Sequence, residues 1–293
     1  MDTHQLRSFI EVSKCENMSL AAEKLGISQP SLSQSIRKLE QSLGLDLFDR
    51  KGRSIQLNEN GRVLYPYTDI AFRAMENAVS EIHDLSDTNF HTVRLIARQP
   101  MGNHAATLHG FYCKHPNIAL SYIVPNEQTR VSDYDVEFFA SSRPQPEGDN
   151  IIKLCTERYV VLVSENHRLA RKNQVGLSSL KKEHFILSPA KSEMSGTVQE
   201  MFKSCGYKPT VAAYVSNYWD TMKLVEKGAG ICIAGNVSWL LNSNLKLKVL
   251  PIDDIHRGRS LYLRWPANAY LSKATKSLID YMVDVFGSSA EPY

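Results

Sequence analysis

The stretch Ser19–Leu43, SLAAEKLGISQPSLSQSIRKLEQSL, constrains this chain more than any other. Two amphipathic runs flank Gly26-Ile27-Ser28. In the first, Leu20, Ala21 and Leu25 recur at helical spacing behind Ser19, a natural N-cap. Gly26 suits a helix C-terminus because it enters the left-handed region without a Cβ penalty. Ser28 caps a second helix, and Gln29 and Pro30 fall in its first turn, where proline loses no intrahelical bond. Leu32, Ile36, Leu39 and Leu43 form one apolar stripe. Opposite it lie Ser31, Ser33, Gln34 and Arg37, short or forked hydrogen-bonding side chains with little negative charge. A helix-turn-helix needs such a face. Its second helix lies in the major groove, where Ser and Gln meet base edges and Arg meets guanine or phosphate. A surface helix pair in any helical domain shows a similar pattern, so the flanking sequence has to decide.

Composition permits DNA binding without arguing for it. The 293 residues carry a net charge of +3, far from a polybasic coat. No apolar run approaches the roughly 20 residues of a membrane span. The start, MDTHQLRSF, lacks the cationic and then apolar pattern of a signal peptide, so a cytoplasmic protein without membrane partners is expected. The five cysteines, Cys15, Cys113, Cys155, Cys205 and Cys232, are odd in number, widely spaced and free of CxxC. That speaks against a disulfide framework and a zinc site. Cys205, before Gly206 at an expected helix end, is the best candidate for a redox-sensing thiol; the alternative is a small core residue.

Leu6, Phe9, Ile10 and Val12 predict a helix from Thr3 to about Lys14, a floor for the two helices above. After Gly44, the apolar Leu45, Leu47 and Phe48 are expected to fold back onto the core. Asp49-Arg50-Lys51-Gly52-Arg53 then leads into the alternating Ser54–Leu57. A basic glycine turn before a short strand reads as a wing. Arg50 is placed for phosphate and Arg53 for the minor groove, where negative potential is concentrated; solvated charge is the other reading of both. With Ser19, Ala21, Ala22, Leu25, Ser28, Gln29, Pro30, Ser31, Ser33, Ile36, Leu39, Glu40, Leu43, Gly44, Leu47, Phe48, Arg50, Leu57 and Gly61 in unbroken order, residues 1–61 resemble the DNA-binding domain of LysR-type transcriptional regulators. Asn58 departs from the family's usual Thr, and both cap helices. The resemblance implies that Gln29, Pro30, Ser33, Gln34 and Arg37 face the major groove and that Arg53 serves the wing.

From Glu59 to about Asp87 the sequence predicts one long helix. Val63, Tyr67, Ile70, Ala74, Met75, Ala78, Ile82 and Leu85 alternate by three and four as a coiled-coil seam. Pro66 interrupts the hydrogen-bond ladder and is expected to kink the first turns. The stripe needs a partner, either the same helix of a second chain or this chain's own C-terminal domain. In the resembling family it is the linker helix of an antiparallel dimer.

From His91 strands and helices alternate, the mark of an α/β domain. Strands are expected at Val93–Ala97, Ile118–Val124, Val136–Ala140, Ile151–Leu154, Tyr159–Val163, Phe185–Leu187, Thr210–Val215, Ile231–Ile233 and Leu261–Arg264. Tyr159–Val163 with His167, Leu169 and Ala170, then Leu177-Ser178-Ser179-Leu180, then Val225, Gly228, Gly230 and Ile231, resemble the two-lobed effector region of the same family, built like a periplasmic binding protein. The fold expected is thus multidomain. An all-α winged helix-turn-helix (1–58) with a linker helix (59–88) precedes an α/β effector domain (91–293), with lobe I at 91–157 and 266–293 and lobe II at 158–265. Chain crossovers are expected near Glu157 and Trp265. The segment Asn126–Asp135 is shorter than the family's helix there, and His167-Arg168-Leu169 stands for its His-Pro-Leu.

Chemistry for an enzyme is missing. Gly228-Ala229-Gly230 is only GxG, there is no P-loop, HExxH or GxSxG, and the nine histidines are scattered. No cofactor is expected; a small-molecule effector between the lobes is. Arg98, Gln99, Pro100 and Met101, at the junction of a strand and a helix, face the cleft by resemblance, with Asn126 on the same lobe. Arg98 and Gln99 suit a carboxylate or amide. Ser188, Ser192, Asn217 and Tyr218 answer from lobe II, unless these polar residues only cap helices. The reading is a sequence-specific regulator that binds an interrupted inverted repeat of double-stranded DNA as a dimer. The family implies a dimer of dimers, and RNA polymerase is a candidate partner. A thiol-based redox regulator, an enzyme with a DNA tether and a regulator with a vestigial cleft are the rivals.

Overall fold

The computed structural model describes residues 1–51, 54–85, 91–98, 104–123, 134–146, 148–189, 193–239, 245–267 and 269–287. Two compact units divide the chain, one built on the first 88 residues and one on the α/β portion that follows.

In the N-terminal unit, α1 (Thr3–Cys15) starts at a capping box. Gln5 N donates to Asp2 Oδ1 at 2.8 Å, and Asp2 N donates to Gln5 Oε1 at 3.1 Å. Helix α2 (Met18–Leu25) is capped by Asn17, whose Oδ1 accepts from Ser19 N at 2.9 Å and Leu20 N at 3.1 Å. Ser19 therefore lies inside the helix, not at its cap. Glu16, in the left-handed region at φ 46°, ends α1 so early that Asn17 reaches the cap position first. Gly26 (φ 65°) closes α2. Ser28 Oγ accepts from Ser31 N at 3.2 Å to open α3 (Gln29–Leu43), and Gly44 (φ 72°) closes it.

Phe9, Val12, Ala21, Leu32, Ile36, Leu39 and Leu47 form the core of this unit. A buried bond from Ser35 Oγ to Ser8 Oγ, 2.9 Å long, joins α3 to α1. Leu43 and Leu45 do not join the core. They are 37% and 56% exposed, because the last turn of α3 runs past the floor that α1 provides. Leu47 and Phe48 do fold back into the core, and buried Glu40 accepts from Leu47 N at 2.9 Å to fix the return. The wing is an antiparallel ribbon of β1 (Phe48–Lys51) and β2 (Ser54–Leu57), so Asp49, Arg50 and Lys51 are strand residues, not turn residues.

Asn58 caps α4 (Glu59–Leu85) by accepting from Gly61 N at 2.9 Å, and its Nδ2 donates to Asp46 O at 2.8 Å. A Cβ at position 61 would lie 2.2 Å from Leu47 O, so only glycine lets α4 approach this closely. One stripe of α4, Leu64, Tyr65 and Phe72, packs on the helix-turn-helix core. The other stripe, with Val63, Tyr67, Ile70, Met75, Val79, Ile82 and Leu85, is exposed throughout.

The α/β unit comprises β3 (His91–Ala97), α5 (His104–Lys114), β4 (Ile118–Ile123), β5 (Val136–Ser141), β6 (Ile151–Ser164), β7 (His184–Leu187), α6 (Glu193–Ser204), β8 (Thr210–Tyr214), α7 (Tyr218–Glu226), β9 (Cys232–Gly235), β10 (Leu247–Pro251), β11 (Gly258–Arg264) and α8 (Lys273–Gly287). The two strands expected at Ile151–Leu154 and Tyr159–Val163 are one continuous strand, β6. Its first half pairs with β11 in lobe I, and its second half with β9 and β10 in lobe II. That second half is buried on both faces, which explains its unbroken apolar run. Tyr159, Val161 and Val163 meet α6 through Val198, Met201 and Phe202, whereas Val160 and Leu162 cluster with Met222 and Val225 of α7. Strand β11 also pairs with β5. The chain is thus back in lobe I by Gly258, earlier than the Trp265 expected.

Glu40→Ala leaves the buried Leu47 N–H without its acceptor and is expected to cost about 1–3 kcal/mol. Glu40→Gln, which keeps an acceptor, should cost less. Urea unfolding of the two variants measures the difference.

Candidate functional site

Helix α3 presents the expected face. Gln29, Pro30, Ser31, Gln34 and Arg37 are exposed and Ser33 is half-buried, while Leu32, Ile36 and Leu39 anchor the other side. Ser31 Oγ lies 2.8 Å from Ser28 Oγ, so it shares in the cap. Lys38, one turn beyond Gln34, is also exposed; sequence reading passed it over, although its i+4 spacing from Gln34 was visible. Arg50 lies in β1 opposite Ile55, with its side chain outside the described residues, as is all of Arg53.

Strand order in the α/β unit marks a second candidate region. Strand β3 lies between β4 and β5 and is parallel to both, so the chain turns to opposite sides at its carboxyl end. Strand β7 lies between parallel β8 and the bridge from Phe185 to Ile231 that leads to β9. Ligands of α/β sheets bind at such switch points. Arg98 follows β3 and Tyr122 ends β4 on one edge. On the other, Ser188 follows β7, Asn217 and Tyr218 follow β8, and Trp239 follows the turn after β9. Burial holds the phenols of both Tyr122 and Tyr218 in their protonated form, and Tyr122 adds to that effect at Tyr218, which puts the two side chains within electrostatic reach of each other. Tyr218 packs on Trp219 at 5.0 Å and edge-on to Trp239 at 5.5 Å. Trp239 Nε1 is buried without a hydrogen-bond partner among the described residues, an omission that typically costs about 1–3 kcal/mol.

Other expected effector residues fare differently. Arg98 pairs with buried Glu137, which also accepts from Arg264 Nη2 at 2.6 Å and from Tyr134 OH at 3.2 Å. A carboxylate of the protein itself thus already engages Arg98. Asn217 Oδ1 accepts from Trp219 N at 2.8 Å and serves as the cap of α7. Gln99, Pro100, Met101, Asn126 and Ser192 lie outside the described residues. Tyr122, Trp219 and Trp239 were missed, because nothing in a single strand or loop marks residues that converge from two lobes.

Where the lobes join, Glu157 of β6 is fully buried against Arg259 of β11, with Arg259 Nε to Glu157 Oε1 at 2.6 Å. The same carboxylate accepts from Ser238 N at 2.7 Å, Ser238 Oγ at 2.8 Å and Val237 N at 3.2 Å. A Cβ at Gly235 would lie 2.4 Å from it. Glu157 therefore ties both lobe-connecting strands to the turn that carries Trp239.

Four of the five cysteines, Cys205 among them, do not favour a thiol switch. All five are free. Burial raises the Cys205 and Cys15 thiols and pushes Cys155 up to about 11 and Cys232 up to about 12, the opposite of what a reactive thiolate needs. Among the described residues, no helix is long and apolar enough to cross a membrane, and no cluster of His, Cys, Asp and Glu could hold a metal ion.

A helix-turn-helix with an exposed polar recognition face, followed by a two-lobed α/β domain with opposed switch points, defines a DNA-binding transcriptional regulator with a substrate-binding domain. Residues 3–62 match the family described as "Bacterial regulatory helix-turn-helix protein, lysR family", and residues 90–287 match "LysR substrate binding domain". The chain belongs to the LysR family of transcriptional regulators. It is 27% identical to the Bacillus subtilis HTH-type transcriptional regulator YybE, over 98% of this chain and 99% of that one. Among solved structures it resembles full-length CbnR complexed with its target DNA (TM-score 0.51, 18% identity, 97% of this chain and 99% of that one). It also resembles the effector-binding domain of QuiR in complex with shikimate (TM-score 0.52, 22% identity, 69% of this chain and 100% of that one).

Arg259→Met strands the Glu157 charge in the interior and is expected to cost about 3–5 kcal/mol, whereas Glu157→Leu with Arg259→Met should cost clearly less. Urea unfolding of the single and double variants tests this.

Proposed function

We propose that this regulator binds an interrupted inverted repeat in double-stranded DNA as a homodimer joined through α4, and that a small molecule held between its lobes controls it. The observation that carries this reading is the exposed stripe of α4. Seven large apolar side chains, each more than half exposed, run along one helix, and a monomer does not leave such a seam open. Its length, on the order of 40 Å at 1.5 Å per residue, suits pairing with a second copy. Pairing also meets an electrostatic need. With a net charge of only +3, one recognition helix binds weakly, and two copies on one site bind together through effective concentration.

Gln29, Pro30, Ser31, Ser33, Gln34 and Arg37 read the major groove, with Lys38 and Arg50 at phosphates and Arg53 in the minor groove. The described polar face of α3 and the complex of CbnR with DNA support these roles. The opposed switch points, and the shikimate that QuiR binds, support an effector in the cleft. That effector acts by population shift, so it must bind one arrangement of lobes and dimers more tightly than the other. A dimer of dimers, contact with RNA polymerase and a cytoplasmic location belong to the same proposal.

Selection of bound sequences from a random DNA pool with the full chain tests the reading; enrichment of an inverted repeat supports it, and failure to enrich any sequence removes it. Ile70→Asp with Ile82→Asp should convert the dimer to monomer in analytical ultracentrifugation and abolish binding to the selected site. Arg37→Ala should lose about 1–3 kcal/mol on that site and much less on random DNA; equal losses on both would move Arg37 to the phosphate contacts.

A further inference from the structure

The aromatic side chains at the meeting of the two switch points specify the class of ligand. We propose that the cleft takes a ligand with a planar aromatic ring, seated among Tyr122, Tyr218 and Trp239, and a hydrogen-bond acceptor that meets Trp239 Nε1. This rests on the reading of the cleft as the effector site and names the chemistry of that site.

Three observations converge. Tyr122 ends a strand of lobe I, while Tyr218 and Trp239 follow strands of lobe II at the facing carboxyl edge, where α/β sheets receive ligands. Tyr122, Tyr218, Trp219 and Trp239 are all only partly buried, unlike the phenylalanines Phe138 and Phe185 of the two lobe interiors, which are fully buried. Tyr218 and Trp239 rest on the lobe II core and are left partly exposed. Tyr218 meets Trp219 at 5.0 Å and Trp239 edge-on at 5.5 Å, and such offset and edge-on pairs extend readily to one more ring.

The third observation is the orphaned donor. Trp239 Nε1 is cut off from solvent and has no acceptor among the described residues, although buried indole N–H groups usually find one. A ligand oxygen or ring nitrogen beside Tyr218 supplies it. Arg98, the cation that lobe I might have offered to a carboxylate, is engaged by Glu137, so ring packing and the indole N–H carry the recognition. The turn that bears Trp239 is bound to Glu157 at the lobe junction through Val237 and Ser238, which holds the indole in place before any ligand arrives.

Calorimetry on the full-length protein with benzamide and with cyclohexanecarboxamide tests the class. The two probes share size and acceptor and differ in the flat π face. Benzamide should bind saturably in the millimolar range or tighter, as expected for so small a ligand, and at least about tenfold more tightly than the saturated amide. Trp239→Phe keeps a ring and removes the donor, and it should weaken benzamide about tenfold. Tyr122→Leu, on the other lobe, should narrow the preference between the two amides, which keeps the test independent of how well one variant folds. Equal affinity for the two amides, no saturable binding of benzamide, or indifference to both substitutions overturns the proposal. The broader reading fails on a different result: a non-aromatic metabolite found in the cleft by native mass spectrometry would retain the effector site and remove only its aromatic class, whereas failure to select any DNA would remove the regulator reading whatever benzamide does.

Discussion

The carboxylate of Glu157 is the constraint on which the two-lobed unit depends. Strand β6 passes from one sheet to the other at this residue, and β11 returns beside it with Arg259 directly opposite. A charge so deep is tolerated only when its lone pairs are filled, and here one guanidinium, two backbone amides and one hydroxyl fill them. The arrangement limits how the lobes can move. Rotation about β6 and β11 that pulled the Gly235–Ser238 turn away would expose an unpaired carboxylate, so small rearrangements that keep Glu157 saturated are favoured over wide opening. Under the proposed control by an effector, a signal from the cleft travels with the turn and does not require the junction to break.

The N-terminal unit solves a related problem with Glu40. The recognition face of α3 is useful only if the helix is held at a fixed angle, and its apolar stripe ends one turn before the helix does, since Leu43 is exposed. The buried bond from Leu47 N to Glu40 and the close approach permitted by Gly61 lock the wing and the start of α4 against α3. Polar contacts here fix direction, while the apolar core supplies the bulk of the stability.

Much of this was legible in the sequence because it is local. Gly26, Ser28, Pro30 and Gly44 act within a turn of their own positions, and each lies where capping rules place it. The α4 stripe was legible for the same reason, although its second stripe, Leu64, Tyr65 and Phe72, was hidden under the stronger seam. Errors arose where a distant partner decides. Thr156-Glu157-Arg158 reads as a polar break between strands, yet Glu157 is interior because Arg259 lies across from it, roughly a hundred residues away in the chain. Arg98 reads as a free cation until Glu137 and Arg264 are brought beside it. Asn17 displaced Ser19 as a cap because the left-handed turn at Glu16, a residue type that rarely adopts it, could not be anticipated.

The same distinction bears on the effector site. A binding site assembled from one motif leaves a spacing to be found, but the proposed one draws on the ends of strands in two lobes, which only strand order relates. Tyr122 belongs to a strand that sequence alone places correctly, and Trp239 to a turn that it does not describe at all. Their place at carboxyl edges follows from the strand order about β3 and about β7. Trp239 rests on the lobe II core and stays partly exposed, while its N–H is buried and unmatched among the described residues. That N–H already carries the desolvation cost of an unmade hydrogen bond, and under the proposed reading a ligand that arrives with an acceptor converts that cost into affinity.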